Sequence, residues 1–473
     1  MSGALWTAAE AAAATGGAPR GDWAVSGVGI DSRGLASGEL FVALRAARDG
    51  HLFVAAALAV GAGAAMVSRV PEDVPADAPL LLVADVQAAL EALGRAGRAR
   101  TAAKVIAVTG SVGKTTVKEM LRHALAPQAA VSAAQSSYNN HWGVPLTLAR
   151  APRDAGALIV EVGMNAPGEI APLARMARPD VGVVTTVAAA HLEAFGRIEG
   201  IAEEKGSLAE GVPAGGTVVL NGDLPTTPIL RAAAAGRRVV LFGEGAGNDV
   251  RVRGVEAADA GVRCTVDLPG GPVALRLGAP GRHLAVNGAA VLAAVHAAGF
   301  DAAAAAEALA GWRPHAGRGT REAVALPGGA VTLIDDAFNA NPASLGAALE
   351  VLAGAPGRRR VAVLGDMLEL GPDGPAMHAA VAGHPAMARV DVVHTSGSLM
   401  RHLHDALPPG RQGRHFAGAG EAAAAVASHL EPGDAVLVKG SKGSAVSRVV
   451  DAIRALGQSG ASQGPGPSAG GGS

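Results

Sequence analysis

The sequence predicts an α/β protein of three domains. A small α/β domain is expected over residues 1–102, a central parallel-sheet, mononucleotide-binding domain over 103–311, and a C-terminal Rossmann-like domain over 312–456. Three observations predict this. Short β-branched runs alternate with alanine-rich stretches from residue 104 onward, the pattern of a doubly wound parallel sheet. Residues 105–116 pass from an apolar strand through a glycine turn into a helix, a place to hold phosphate. A second series of apolar runs, at 331–334, 361–364, 390–394 and 435–438, again alternates with helical stretches and ends in polar residues. Residues 457–473, rich in Gly, Ser, Pro and Gln, read as a disordered tail.

A chain of 473 residues is long enough for two or three domains, each with its own core. Its hydrophobic content comes mostly from alanine and valine, and no run of about 18 apolar residues lacks Gly, Pro or charge, so no membrane span is expected. Residues 1–17 have no basic leader, so no signal peptide is expected either. The single cysteine, Cys264, excludes an intramolecular disulfide and fits a reducing cytoplasm. A net charge of −1 with 3% aromatic residues argues against a nucleic-acid surface, which needs basic stripes and stacking rings. The basic stretches 95–100 and 358–360 read as solvated faces.

In the first domain, residues 28–33 end a strand in the polar turn Asp31-Ser32-Arg33, and 39–44 form a second strand. Asp49-Gly50-His51 turns into a helix over 53–62, followed by strands at 64–68 and 80–83 and a helix over 86–100. On residue type alone Asp31, Arg33 and His51 are turn and surface residues.

The centre of the chain is Gly110-Ser111-Val112-Gly113-Lys114-Thr115-Thr116, with a helix expected through Leu125. Backbone N–H groups and the helix dipole favour an anion there. Lys114 suits the β- and γ-phosphates, and Thr115 offers a hydroxyl to Mg²⁺. Val108 stands where the full Walker pattern has glycine, which leaves an ordinary strand–helix turn as the competing reading. Asn139-Asn140 lie in a polar loop before a helix start. Residues 157–163 form a buried strand carrying Glu161, and a carboxylate at such a strand end implies a metal or nucleotide. His191 follows the next strand, 181–187, as either a capping residue or a ligand. Lys205, beside Glu203 and Glu204, reads on local charge as a solvated cluster. Residues 248–276 read as a small antiparallel insertion, and a helix is expected over 287–298.

The third domain opens with residues 331–334 leading to Asp335-Asp336-Ala337-Phe338-Asn339-Ala340-Asn341-Pro342, then a helix over 344–353. Adjacent carboxylates repel, so Asp335 and Asp336 need a cation or an amine. Residues 364–371 read Leu-Gly-Asp-Met-Leu-Glu-Leu-Gly, and the last strand ends in Lys439-Gly440-Ser441-Lys442-Gly443.

Taken in order over roughly residues 25–450, these motifs resemble the ATP-dependent Mur ligases, and among them the branch that adds D-alanyl-D-alanine. The shortened loop at 110–116 is the family's own form. Asn139-Asn140 with residues 143–148, the strand end Glu161-Val162-Gly163-Met164-Asn165, and His191-Leu192-Glu193 are similar to its nucleotide and magnesium segments. Asp335 through Pro342 and residues 364–371 resemble signatures of the D-alanyl-D-alanine branch. Ser137, Thr186, Leu224 and Leu284 depart from residues common in relatives.

The resemblance implies ATP held by residues 110–116 with Asn287, Arg318 and Asn339. It implies Mg²⁺ at Thr115, Glu161 and His191, and a second ion at a carbamylated Lys205, which reverses the reading of that lysine as solvated. It implies a UDP-MurNAc-tripeptide met by Asp31, Ser32, Arg33, Asp49, His51, Asn139 and Asn140, with Asn341 toward the D-Ala-D-Ala dipeptide. Lys114, Lys205, Asp335, Asp336 and His191 are the expected catalytic set, and domain closure is expected to assemble it around an acyl phosphate. A cytoplasmic monomer is expected, with neither nucleic acid nor membrane as partner. The competing readings are a sibling ligase or a folylpolyglutamate synthetase, a GTPase or kinase switch, and a non-catalytic nucleotide-binding scaffold.

Overall fold

A computed structural model describes residues 3–134, 137–258 and 261–461. The first sheet has five strands, in spatial order Ala18–Arg20, Leu80–Leu82, Ala64–Val67, Glu39–Val42 and Gly27–Gly29. All neighbours are parallel except the first pair. The helix Val86–Arg100 starts at Asp85, whose carboxylate accepts from the Ala88 N–H, and it buries Val86, Ala89, Leu90, Leu93, Gly94 and Gly97 on one face. That face lies against the helix Gly143–Ala149 of the next sheet. A Cβ at Gly94 would stand 2.8 Å from the Pro145 carbonyl oxygen and one at Gly97 2.2 Å from that of Leu148. Only glycine permits this approach. The shared core of Trp6, Trp23, Leu90, Leu93, Leu146 and Ala149 therefore joins the first module to the second.

The central sheet has nine strands, ordered Gly271–Leu277, Gly261–Leu268, Val250–Ala258, Arg238–Gly243, Thr217–Asn221, Val181–Val184, Lys104–Thr109, Ala157–Glu161 and Val131–Ala133. Every pairing from Val131 to Val250 is parallel. The two outermost strands are antiparallel. Residues 248–276 were expected as an insertion; instead they extend the central sheet at its edge, with a bulge between Arg253 and Glu256. One face is covered by the helices Lys114–Leu125, Arg282–Ala297 and Ala302–Leu309, and the other by Gly143–Ala149, Ile170–Ala177 and Ile198–Gly206. The helix expected from Asn287 begins at Arg282, which puts Asn287 inside it. The strand expected through 187 stops at Val184, and residues 185–191 turn back over the phosphate loop.

The C-terminal sheet has six strands, ordered Thr320–Leu326, Gly329–Asp336, Ala435–Lys439, Arg360–Gly365, Val392–Ser396 and Gln412–Phe416. A hairpin joins the first two, and the other pairings are parallel. The two edge strands escape sequence reading because both are polar and partly exposed. The last helix runs Ser447–Ala461, so residues 457–461, expected in the tail, continue it; residues 462–473 lie outside the described residues. Among the described residues no helix is long and apolar enough to cross a membrane.

Candidate active site

Parallel pairing brings Thr109, Glu161 and Val184 to one edge of the central sheet, with Glu161 in register with Val108 and Val184 with Thr109. The chain leaves Thr109 through Gly110 at φ +151° and enters its helix from Gly113 at φ +89°. A Cβ at Gly110 would fall 1.9 Å from the Thr185 hydroxyl, and one at Gly113 3.0 Å from Asn287 Oδ1. Asn287 thus stands over the loop. The loop is tied down by the Ser111 N–H donating to Thr186 O at 2.8 Å and by Ser111 Oγ donating to Ala188 O at 2.9 Å. Thr185 Oγ1 donates to Val112 O at 2.5 Å. Lys114 Nζ donates to Gly110 O at 2.7 Å. Burial pushes its pKa down, with the Glu161 charge opposing. Thr116 faces a small cavity beside Glu119, His315 and Arg318.

Glu161 is 1% exposed. Its carboxylate accepts from Thr115 Oγ1 at 2.9 and 3.1 Å and from Asn139 Nδ2 at 2.8 Å, with Lys118 Nζ 4.0 Å away. Lys118 is fully buried, donates to Ala134 O at 2.8 Å and pairs with Glu119 at 3.0 Å. It was missed in the sequence, though it lies one helical turn beyond Lys114 on the same face. Asn140 has a different task from its neighbour. Its Oδ1 accepts from the N–H groups of Trp142 and Gly143 at 3.2 and 3.0 Å and closes the turn that leads into the helix Gly143–Ala149.

Lys205 corrects the reading from local charge. The helix Ile198–Gly206 turns Glu203 outward to Arg197, at 2.8 Å, and buries Lys205 to 1% exposure. The ammonium lies 3.7 Å from Met164 Sδ. Burial, reinforced by the charge of Lys114, drives its pKa well below a lysine's ordinary value. Glu204 is turned away to accept from the N–H groups of Gly168 and Ile170, both at 2.7 Å. His191 has φ +59°, and its Nδ1 lies 2.5 Å from Glu369 Oε2 on the C-terminal module. Burial lowers its pKa; the Glu369 charge opposes this, and those of Lys114 and Lys205 add to it.

From the C-terminal module Arg318 lies over the Phe338 ring, 4.0 Å from its centre, and donates to Ser137 Oγ at 3.2 Å. It thereby reaches the loop beside Glu161. The two aspartates have separate partners. Asp335 is 4% exposed and accepts from the N–H groups of Gly317 and Ala337, at 3.2 and 3.3 Å, and from Arg454 at 3.0 Å. Asp336 pairs with Lys439 at 2.7 Å, and burial pushes its pKa up against that charge. Lys439 also donates to Asn339 O at 2.9 Å. Asn339 Oδ1 accepts from the Ala340 N–H. Asn341 caps the helix Pro342–Gly354, its Oδ1 accepting from Ser344 N at 2.9 Å.

The residues expected to meet the nucleotide-linked substrate sit in local turns of the first module. Arg33 pairs with Asp31 at 2.7 Å and is 83% exposed, with Ser32 in the same turn. His51 is 2% exposed. Its Nδ1 meets Asp49 at 2.7 Å, its Nε2 accepts from Ser68 N at 2.9 Å, and Asp49 also pairs with Arg69 at 2.7 Å. His51 and Asp49 therefore brace the turn, and Asp31 to Arg33 face solvent.

The family description "Mur ligase middle domain" matches residues 108–295, and "Mur ligase, glutamate ligase domain" matches residues 320–442. The chain is 35% identical over 441 residues to the UDP-N-acetylmuramoyl-tripeptide–D-alanyl-D-alanine ligase of Escherichia coli (strain K12), covering 92% of this chain and 94% of that one. It is 37% identical over 470 residues to the protein of the same name from Mycobacterium tuberculosis, covering 90% and 91%. Among solved structures it is similar to MurF from Acinetobacter baumannii, with a TM-score of 0.82 at 29% identity over 95% of this chain and 98% of that one. MurF ligase from Thermotoga maritima in complex with ADP gives a TM-score of 0.76 at 26% identity over 92% and 98%.

Proposed function

This chain belongs to the Mur ligase family, and we propose from that premise that it is a carbon–nitrogen ligase of peptidoglycan synthesis. It joins D-alanyl-D-alanine to the terminal carboxylate of UDP-N-acetylmuramoyl-tripeptide with consumption of ATP, as its relatives' name describes. The observation that supports the reading is the reach of Arg318 across to Ser137, which brings one guanidinium under the charges of both Glu161 of one module and Asp336 of another.

An amide cannot form from a carboxylate until its oxygen is made a leaving group. In the proposed sequence the tripeptide carboxylate attacks the γ-phosphorus of ATP, ADP departs, and an acyl phosphate forms. The dipeptide amine then attacks the carbonyl carbon, inorganic phosphate leaves, and the amine loses a proton. Lys114, now on Gly110 O, moves to the β- and γ-oxygens. Arg318 faces the same phosphates from the C-terminal side. Asn287 and Asn339 border the nucleotide, and Asp336 holds the incoming ammonium beside Lys439 until it gives up its proton.

The residues present fit Mg²⁺. Thr115 and Glu161 offer hard oxygen donors at the loop, and His191 adds an imidazole. Among the described residues no three His, Cys, Asp or Glu side chains converge into a cage. That suits an ion that keeps its waters and shares substrate phosphates. When bound, Mg²⁺ supplies charge neutralisation at the phosphates. The buried amine of Lys205 fits carbamylation: the ammonium gives up one proton, its nitrogen bonds the carbon of CO₂, a second proton leaves, and a cation becomes an anion able to face a second ion.

The same proposal places the chain in the cytoplasm, where ATP and UDP-linked substrates are found, as a monomer. Mass analysis of the product tests it. The expected mass is that of the tripeptide substrate plus D-Ala-D-Ala less one water, and no such product would overturn the assignment.

A further inference from the structure

Among the described residues four non-glycine residues have positive φ: Arg178, His191, Glu369 and Ala445. His191, at φ +59°, and Glu369, at φ +65°, belong to different modules, and they are the two that meet. Left-handed backbone costs free energy in side-chain-bearing residues and persists where surroundings over-determine it, often at functional sites. Here the surroundings are each other. The His191 Nδ1 lies 2.5 Å from Glu369 Oε2, the Glu193 N–H donates to Glu369 O at 3.2 Å, and Gly371, at φ +68°, leaves room for only 3.3 Å between a Cβ and Glu193 Cα. One short turn of the C-terminal module is thus pressed onto the turn that follows the strand Val181–Val184.

We propose that Glu369 is a positioning residue that couples module closure to the state of His191. A carboxylate on Nδ1 keeps the ring proton there and leaves Nε2 as the acceptor, the arrangement that orients metal-bound imidazoles. The loop bearing Glu369 is tied to the amine side of the site. Leu368 N donates to Ser441 Oγ at 2.9 Å, and Ser441 Oγ donates to Ala340 O at 3.2 Å, between Asn339 and Asn341. Met367 N donates to the buried His378 Nε2 at 3.0 Å, which fixes the loop from below. When Glu369 reaches His191, the ledge carrying Asp336 and Lys439 is brought over the phosphate loop. Separation of the modules frees the imidazole. The assignment rests on the proposed role of His191 in the ligase reaction.

Three full-length proteins test it: wild type, Glu369→Asn and Glu369→Gln. Asparagine tolerates left-handed backbone but is too short to reach the ring, whereas glutamine keeps the length and an accepting oxygen. Small-angle X-ray scattering with ADP and Mg²⁺ reads compactness, and a fluorescent ADP analogue titrated with Mg²⁺ reads binding without turnover. The expected result for Glu369→Asn is a larger radius of gyration, a half-saturating Mg²⁺ concentration raised by about tenfold or more, and a fall in kcat with little change in KM for ATP. Glu369→Gln should recover most of each, at an unchanged melting temperature for all three. Glu369→Asn matching wild type in scattering and Mg²⁺ titration would overturn the proposal, as would Glu369→Gln failing as fully as Glu369→Asn. Both readouts are independent of the amine substrate, so a wild-type protein that closes and binds Mg²⁺ but makes no product would count against the ligase reading alone.

Discussion

Thr115 donates its hydroxyl to Glu161 at 2.9 Å, which links the first turn of the phosphate-loop helix to the end of the neighbouring strand. The carboxylate is buried, with Lys118 Nζ 4.0 Å from it. Glu161→Gln removes the charge and keeps the shape. The expected outcome is a loss of turnover of about 10²-fold or more, the scale seen when a preorganised electrostatic group is removed, with far-ultraviolet circular dichroism unchanged. Turnover within twofold of wild type would show that Glu161 only braces Thr115 and Asn139.

Asp335 and Asp336 separate by partner. Asp335 is engaged by Arg454 and by two backbone N–H groups, so Asp335→Asn should act on stability, lowering it by about 2–4 kcal/mol in urea titration. Asp336 has Lys439 beside it on the ledge that faces the central module. Asp336→Asn strands the buried Lys439 ammonium, so it too should lower the urea midpoint, and what sets it apart is a raised KM for the dipeptide with a reduced kcat. The reverse pattern in KM and kcat would exchange the two roles.

Much of this division was not legible in the sequence. The phosphate loop, the strand ending in Glu161 and the parallel character of the central sheet could be read because strand, glycine turn and helix are local patterns. Lys205 could not be read from local charge, because its neighbours Glu203 and Glu204 suggest solvent; the resemblance alone pointed to it, and the packing of its helix buries it. Asn140 and Asn341 look like binding amides in sequence, and their local hydrogen bonds show only with the fold: Asn341 caps a helix and Asn140 closes the turn before one. The partners of the paired aspartates, Lys439 and Arg454, lie more than a hundred residues away; Lys439 meets Asp336 through the register of parallel strands, and Arg454 reaches Asp335 from the last helix. The motif around Glu369 was visible as a string, but its contact with His191 required the fold.

Lys205→Met should separate stability from function. A buried ammonium with no carboxylate on it is unfavourable, and an apolar side chain of similar length removes that burden. The variant is expected to be more stable than bicarbonate-free wild type by about 1–2 kcal/mol and to lose turnover. A variant less stable than wild type would mean that the lysine is held by favourable contacts.

His394 gives a pH-dependent term outside the site. Its Nδ1 accepts from Arg414 N at 2.9 Å, so Nε2 carries the proton, and that atom is buried without a partner. Burial, with His429 and Arg359 nearby, lowers its pKa to about 4. The unfolded chain takes up a proton on this histidine at higher pH than the folded one. Its contribution is therefore fully present above about pH 6.5 and is lost as pH falls toward 4, on the order of 2 kcal/mol. His394→Asn keeps an acceptor for Arg414 and does not titrate. Its urea midpoint should fall less than that of wild type between pH 6.5 and 4.5, and parallel curves would rule out His394 as the source.

In the proposed reaction a loop holding ATP and a separate module holding an amine make one ligase site for D-alanyl-D-alanine. Phosphate release tests it most directly, measured with ATP, Mg²⁺ and UDP-MurNAc-tripeptide carrying either diaminopimelate or lysine, with D-Ala-D-Ala set against D-Ala alone. Rapid release is expected with the dipeptide and one of the tripeptides, and release near background with the single amino acid. Equal or faster release with D-Ala alone would contradict it.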